Sequence, residues 1–283
     1  MESWASIFKD CENELNDIWN IIDNKEKYYP NKEDIFKCFE LVKLENVKVI
    51  ILDKEPYNNN YKFNDIILSK ATGLAYSIRK NDNYIPKSIT NIHKELKRSI
   101  SEFIIPPHGN LENWCKQGVL LLNTCLTVVY NKPDSHKFIW YSFINKIFKG
   151  IEKINPKCIV LSWGIKKIRG IIPNNFIVYE TCSPYLDSFI GCNHFNIVNE
   201  NLDKYNKTIE KKYKLDNIII DENKLLNKLN NLNLIKNERT LEFNEIKKLN
   251  KLTLDYKLLI VKKDLILNKI KEESKELINW NLI

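Results

Sequence analysis

The chain predicts an α/β fold of three layers, helices on both faces of a central, mostly parallel four-stranded sheet, with a helical C-terminal insertion or appendage. Three observations predict it. Short apolar runs recur at 47–52 (VKVIIL), 119–122 (VLLL), 158–161 (CIVL) and 177–179 (IVY). They are largely unbroken rather than alternating, as in strands covered on both faces. Helical patterns separate them, and strand alternating with helix implies parallel strands joined by crossovers. The third observation is size: 283 residues at 43% hydrophobic composition bury a full core, as one domain or one domain plus an appendage.

In chain order, residues 1–45 read as helical, with Trp4, Ile7, Phe8, Leu15, Ile18 and Ile22 at helical spacing. Tyr28, Tyr29 and Pro30 break that helix. The 47–52 strand leads through a loop to 73–78 (GLAYSI), and a helix starts after Pro86, Lys87 and Ser88 and runs through Ile92 and Leu96. The 119–122 strand resumes at 126–129 beyond Asn123. A helix over about 140–153 precedes the strands at 158–161 and 177–179. After Gly191 there is no further Gly or Pro. The Lys-, Asn- and Leu-rich remainder places Ile246, Leu249, Tyr256, Leu259, Ile266, Ile270 and Leu277 near one helical stripe. It reads as a long amphipathic helix preceded by a shorter helical piece at 225–234. No repeat of solenoid period is present.

The net charge of +8 and pI near 8.9 suit a polyanionic partner such as nucleic acid, and equally a genome biased toward Lys, Asn and Ile. Charge alone leaves both open. Residues 1–15 carry Glu2, Asp10, Glu12 and Glu14 and are expected to be neither a secretory signal nor an anchor. No apolar run approaches the ~18–20 residues of a spanning helix. Seven cysteines, at 11, 38, 115, 125, 158, 182 and 192, include no C-x-x-C pair. They are expected to be reduced, buried thiols of an intracellular compartment (nucleus, cytoplasm or viral factory), with no zinc or iron–sulfur site.

Open parallel sheets bind ligands at the carboxyl ends of their strands. The first strand ends in Asp53, Lys54, Glu55, Pro56 and Tyr57, a charged turn with a phenol beside a stiffening proline. Such a turn is usually just a turn. Asn123 is more informative, being the one amide inside the apolar run 119–128 (VLLLNTCLTV). A buried amide bonds neighbouring backbone or offers a donor and an acceptor to a ligand, and its planar edge suits a pyrimidine.

In order and spacing the segments VKVIILDKEPY (47–57), GLAYSI (73–78), PKSITNIHKEL (86–96), PPHGNLENWCKQGVLLLNTCLTV (106–128), SHKFIW (135–140) and VLSWG (160–164) resemble family 1 uracil-DNA glycosylases. Trp4, residues 28–30 and Gly191, Cys192, Asn193, His194 and Phe195 extend the resemblance to roughly 1–205. It implies that Asn123 reads the uracil edge, that Tyr76 stacks on the base and that Tyr57 walls off a thymine methyl. Glu55 stands where an aspartate orients the attacking water. Ser88, His108, Ser135, His136, Lys137 and Ser183 are the implied DNA contacts, compressing the backbone around a flipped nucleotide. Tyr185 takes the place of a wedging leucine. The implied partner is DNA, single- or double-stranded and uracil-containing, with no cofactor and no metal.

The departures matter as much. The family's Gly-Gln-Asp-Pro-Tyr-His-Gly loop is here Asp53, Lys54, Glu55, Pro56, Tyr57, Asn58 and Asn59, without either glycine, and the stretch from Tyr57 to Gly73 is longer. Its His-Pro-Ser-Pro-Leu-Ser motif is Thr181, Cys182, Ser183, Pro184, Tyr185 and Leu186, so the catalytic histidine has no counterpart. Loss of one such donor typically lowers the rate ~10²–10³-fold. The expected function is therefore DNA binding and accommodation of a flipped-out uracil, with hydrolytic excision weak or lost. The alternative is a non-enzymatic subunit of a replication or transcription complex, docking a partner through the 225–276 helices; poxvirus members of the family serve as polymerase processivity partners. Leu277, Ile278, Asn279, Trp280 and Asn281 resemble the family's terminus. That makes 1–206 the glycosylase-like domain, 207–276 a helical insertion and 277–283 the closing segment; an appended tail is the other arrangement. Lysine runs at 247–248, 262–263 and 269–275 suit a solvated face better than a DNA arm.

Overall fold

The computed structural model describes residues 2–23, 26–63, 66–82, 84–165, 170–238, 240, 242–269, 278, 280 and 281. Its chain forms two compact units, Met1–Val198 with Ile278–Ile283, and Asn199–Leu277.

The first unit opens with two short helices, α1 (Ala5–Asp10) and α2 (Glu12–Ile22), then strand β1 (Tyr28–Tyr29) and helix α3 (Lys37–Leu41). The helix expected before the Tyr28–Pro30 break is thus divided at Cys11 and ends at Ile22. The apolar stripe still does its work: Trp4, Ile18 and Ile22 are buried. Strand β2 (Val49–Asp53) is followed by a hairpin, β3 (Asn60–Phe63) and β4 (Ile66–Ser69), within the lengthened stretch that sequence alone left as loop. Residues 73–76 form a bend and turn. Helix α4 (Lys87–Ser99) follows Pro86 and buries Ile89, Ile92 and Leu96. After it come α5 (Glu112–Cys115), β5 (Val119–Asn123), β6 (Val128–Val129) and α6 (Tyr141–Ile154). Helix α6 lies close to α1: a Cβ at Gly150 would fall 2.1 Å from Ile7 Cδ1.

Strands β7 (Ile159–Trp163) and β8 (Ile177–Thr181) complete a four-stranded sheet of order β5-β2-β7-β8, parallel throughout. Successive residues of β5 and β7, and the first four of β2, are all buried, so both faces of the sheet are covered. This is the α/β architecture the apolar runs imply. Ile278 and Trp280 return the chain to the first unit. The Trp280 ring sits 4.8 Å from Phe195 and 5.1 Å from Trp114, and Trp114 Nε1 donates to the Trp280 carbonyl at 3.0 Å.

Helix α7 (His194–Glu238) begins in the first unit and continues into the second, where α8 (Phe243–Lys269) follows. The piece expected at 225–234 is thus the end of a 45-residue helix, because nothing from His194 to Glu238 supplies a stop signal. Within the second unit, Lys263 of α8 is 2.7 Å from Glu222 of α7, and Tyr256 Oη is 3.5 Å from it. Leu249, Tyr256 and Leu259 are half-buried, whereas Ile246 is exposed. Ile270, Leu277 and the lysines beyond Lys269 lie outside the described residues. Among the described residues no helix is long and apolar enough to cross a membrane.

Candidate active site

Strands β2 and β5 end together, with Asp53 opposite Asn123 in the register. The contact continues past the strands: Thr124 N donates to the Asp53 carbonyl at 2.8 Å, and Cys125 N to that of Lys54 at 3.0 Å. Beyond β7, Gly164 takes a φ of +77° and donates to the Thr181 carbonyl at 2.8 Å. A Cβ on Gly164 would fall 2.8 Å from Ser183 Cβ, so the glycine lets the 181–186 segment close in.

Two cavities open at this carboxyl edge. One, of about 400 Å³, is lined by Asp53, Tyr57, Trp163 and Ser183 among others. The other, of about 230 Å³, is lined by Thr124, Cys125, Asp134, Lys137 and Phe138 among others. Lys54, Glu55, Gly164 and Ile165 line both, so the Glu55 carboxyl stands on a shared wall. It accepts a hydrogen bond from Asp134 N at 2.9 Å. Burial pushes its pKa up, against the pull of that N–H and of Lys54. Lys54 itself pairs with Asp134 at 2.6 Å.

The lone amide of the apolar run lines neither cavity and ends β5 opposite Asp53 in the register. Asn123 is 3% exposed, and its Oδ1 has no hydrogen-bond partner among the described residues. An unsatisfied buried acceptor costs about 1–3 kcal/mol, so it marks a place where a ligand donor is favoured. Tyr57 is held by two bonds: its hydroxyl donates to the Tyr76 carbonyl at 3.1 Å and lies 2.9 Å from Ser88 Oγ. Its ring packs on the cluster of Tyr29, Ala71 and Val128. Tyr76 has a φ of 62°, which few non-glycine residues adopt. Its buried ring lies 5.4 Å from Trp163, and its hydroxyl is 3.4 Å from the carbonyls of Leu52 and Trp163.

The expected DNA contacts fall into groups. Lys137 and Ser183 line the cavities, and Ser88 is joined to them through Tyr57. Ser183 Oγ accepts from Tyr185 N at 3.3 Å, and Tyr185 projects with 65% exposure, Lys87 Nζ standing 5.6 Å from its ring centre. Ser135 and His136 sit just outside the cavities. Ser135 Oγ accepts from Val129 N at 2.8 Å. Buried His136 holds Thr127 Oγ1 at 2.9 Å through Nδ1, while Trp140 Nε1 donates to the same oxygen at 2.8 Å. His108 lies apart from them, its Nδ1 accepting from Asn110 N at 3.3 Å.

None of the four histidines lines either cavity. His194, the nearest in sequence to the Ser183 loop, spends its Nδ1 on Trp163 Nε1 at 3.1 Å. Sequence reasoning missed Asp53 and Trp163 as cavity residues. The signal for Asp53 was its carboxylate in a place where the resemblance calls for glycine. Among the described residues no three His, Cys, Asp or Glu side chains gather to hold a metal ion.

The fold and site define an α/β protein with a polar, phenol-walled pocket at the carboxyl edge of a parallel sheet. Two bacterial relatives sharpen that class. The chain is 40% identical over 182 residues to the uracil-DNA glycosylase of Francisella philomiragia, covering 62% of this chain and 79% of that one. It is 41% identical over 180 residues to the uracil-DNA glycosylase of Francisella tularensis subsp. novicida, covering 61% and 78%. The chain belongs to the uracil-DNA glycosylase family. In fold it is similar to crystal structures of mimivirus uracil-DNA glycosylase (TM-score 0.63, 22% identity, 71% of this chain and 83% of that one) and of a Nitratifractor salsuginis relative (TM-score 0.52, 18% identity, 70% and 91%). No family profile matches the chain.

Proposed function

We propose that the protein binds DNA, takes a flipped-out uracil against Asn123, and excises it slowly. The observation that carries this reading is the buried Asn123 Oδ1, without a hydrogen-bond partner among the described residues, opposite Asp53 at the end of the strand that leads to Glu55. The amide accepts from the base N–H and donates to a ring carbonyl, a pairing that a uracil edge satisfies and a phosphate or sugar does not. Tyr57, fixed by Tyr76 and Ser88, walls the pocket, and Tyr76 closes it against Trp163. Ser88, Ser183, His136 and Lys137 hold the DNA backbone, and Tyr185 wedges into the stack.

Excision needs a carboxylate that positions water and supports positive charge on the sugar. Glu55 supplies the group with one extra methylene, its oxygen tied to Asp134 N. With threonine at 181 and no histidine on the cavity walls, no histidine steadies the departing base anion as the family's does. Recognition therefore outlasts chemistry. The second reading, a DNA-bound scaffold, draws on the helical unit, where Ile219, Ile220, Leu254, Leu258 and Val261 are exposed and suit a protein partner. Binding of matched oligonucleotides carrying one uracil or one thymine tests the proposal. Tighter binding of the uracil strand, lost in Asn123→Ala, is expected; equal binding of both strands would refute it.

A further inference from the structure

Asp53 lines the larger cavity beside Glu55, and the reading above leaves it without a task. Its Oδ1 accepts the backbone N–H of Lys54 at 2.7 Å, a donor standing at the carboxyl edge of the sheet. The Tyr76 hydroxyl stands close by, 3.4 Å from the carbonyls of Leu52 and Trp163. The geometry points to Asp53 as a specificity-determining residue of the base pocket, whose carboxylate holds the Lys54 N–H that a base carbonyl would otherwise take and, once neutral and a weaker acceptor, gives it up, so that uracil binds the protonated form.

The surroundings support the coupling. Asn123 faces Asp53 across the register from β5, and Trp163 and Ser183 line the cavity from β7 and the 181–186 segment. Among the described residues the titratable neighbours are Tyr76 from the 73–76 turn, and Tyr57, Glu55 and the cation Lys54 from its own loop. Asp53 is half-buried, and desolvation on its covered side pushes its carboxyl up to about 7 against the pull of the Lys54 N–H; Glu55 adds to the rise. A ligand confined to one protonation state has its apparent affinity scaled by the fraction in that state. A carboxyl titrating near 7 thus changes uracil affinity by about tenfold between pH 8 and pH 6.

This inference rests on the uracil-pocket reading. The test measures binding of uracil- and thymine-containing oligonucleotides to the full chain from pH 5.5 to 8.5, and takes the uracil-to-thymine ratio so that phosphate contacts cancel. The ratio is expected to rise about tenfold from pH 8 to pH 6 in the wild type and to be flat in Asp53→Asn. Asp53→Gly, which also removes the acceptor, is expected to hold the wild type's low-pH ratio at pH 8. A uracil preference that is flat in the wild type, or sloped alike in both variants, overturns the role of Asp53 alone. A wild type with no uracil preference at any pH, unchanged by Asn123→Ala, overturns the pocket reading and this inference with it. Thermal melts of both variants confirm folding, and Asp53→Gly serves if Asp53→Asn does not fold.

Discussion

Asp53 and Asn123 end neighbouring parallel strands in direct register, one turning a carboxyl toward the Lys54 N–H and the other burying an amide oxygen without a partner among the described residues. Asn123→Ala removes an unsatisfied buried acceptor, so the fold is expected to keep its stability within about 1 kcal/mol while uracil discrimination falls about 10–100-fold. Parallel unfolding and binding titrations check both halves. A variant that lost stability and discrimination together would mean that Asn123 serves the fold.

The reach of Glu55 is the next lever. Glu55→Gln keeps the shape and removes the charge, and abasic-site formation should fall at least tenfold with DNA binding little changed. Glu55→Asp shortens the side chain to the family's length and should raise the single-turnover rate by about tenfold, since a 1 Å misplacement can cost ~10²-fold.

At the end of β8, Thr181→His restores the residue type that the family resemblance assigns there. One well-placed donor to a departing anion is typically worth ~10²–10³ in rate. Single-turnover excision should therefore rise by at least tenfold in Thr181→His, with uracil affinity unchanged. An unaltered rate would place the missing catalysis elsewhere.

Acid stability has a separate origin. Burial, and then nearby His108, hold His93 down at about 4, below its ordinary 6.5. As pH falls through 6.5 the unfolded chain takes the proton first, so the stability present above 6.5 is lost progressively toward pH 4. The loss attributable to His93 is about 3 kcal/mol at most. Asp53, pushed up to about 7, slopes the other way: the folded state takes its proton first, and stability rises as pH falls from 7. Denaturant titrations between pH 7 and 4.5 in an Asp53→Asn background should show stability falling with pH, and a further His93→Phe should reduce that slope, leaving the part that comes from His136 and His194, which burial also holds down.

The closing segment is predicted to matter to the first unit. Trp280→Ala removes a ring packed on Trp114 and Phe195 and should cost about 3–5 kcal/mol in equilibrium unfolding. A change under about 1 kcal/mol would show that the returning terminus is dispensable.

Much of this was legible in the residues. The sheet showed itself because strands covered on both faces must be apolar at nearly every position, and Asn123 stood out as the exception in such a run. Other parts were hidden for physical reasons. The hairpin of Asn60–Phe63 and Ile66–Ser69 has short strands, only partly apolar, with no Gly or Pro between them. Helix α7 merged pieces that seemed separate because its apolar residues keep no sharp stripe and no breaker divides them. The positive φ of Tyr76 could not be anticipated, since side chains of its size rarely adopt it. The orientation of the Asp53 carboxyl depends on where β2 stops, and strand ends are the least legible feature of a sequence.

On the proposed function, a uracil pocket persists on a weakened catalytic site. Single-turnover release of uracil from an oligonucleotide, with the Francisella philomiragia enzyme measured alongside, tests it most directly. Slow abasic-site formation is expected, at least ~10²-fold below that enzyme and dependent on Asn123 and Glu55. A rate equal to that enzyme's, or product formed equally well by Asn123→Ala and Glu55→Gln, would contradict it.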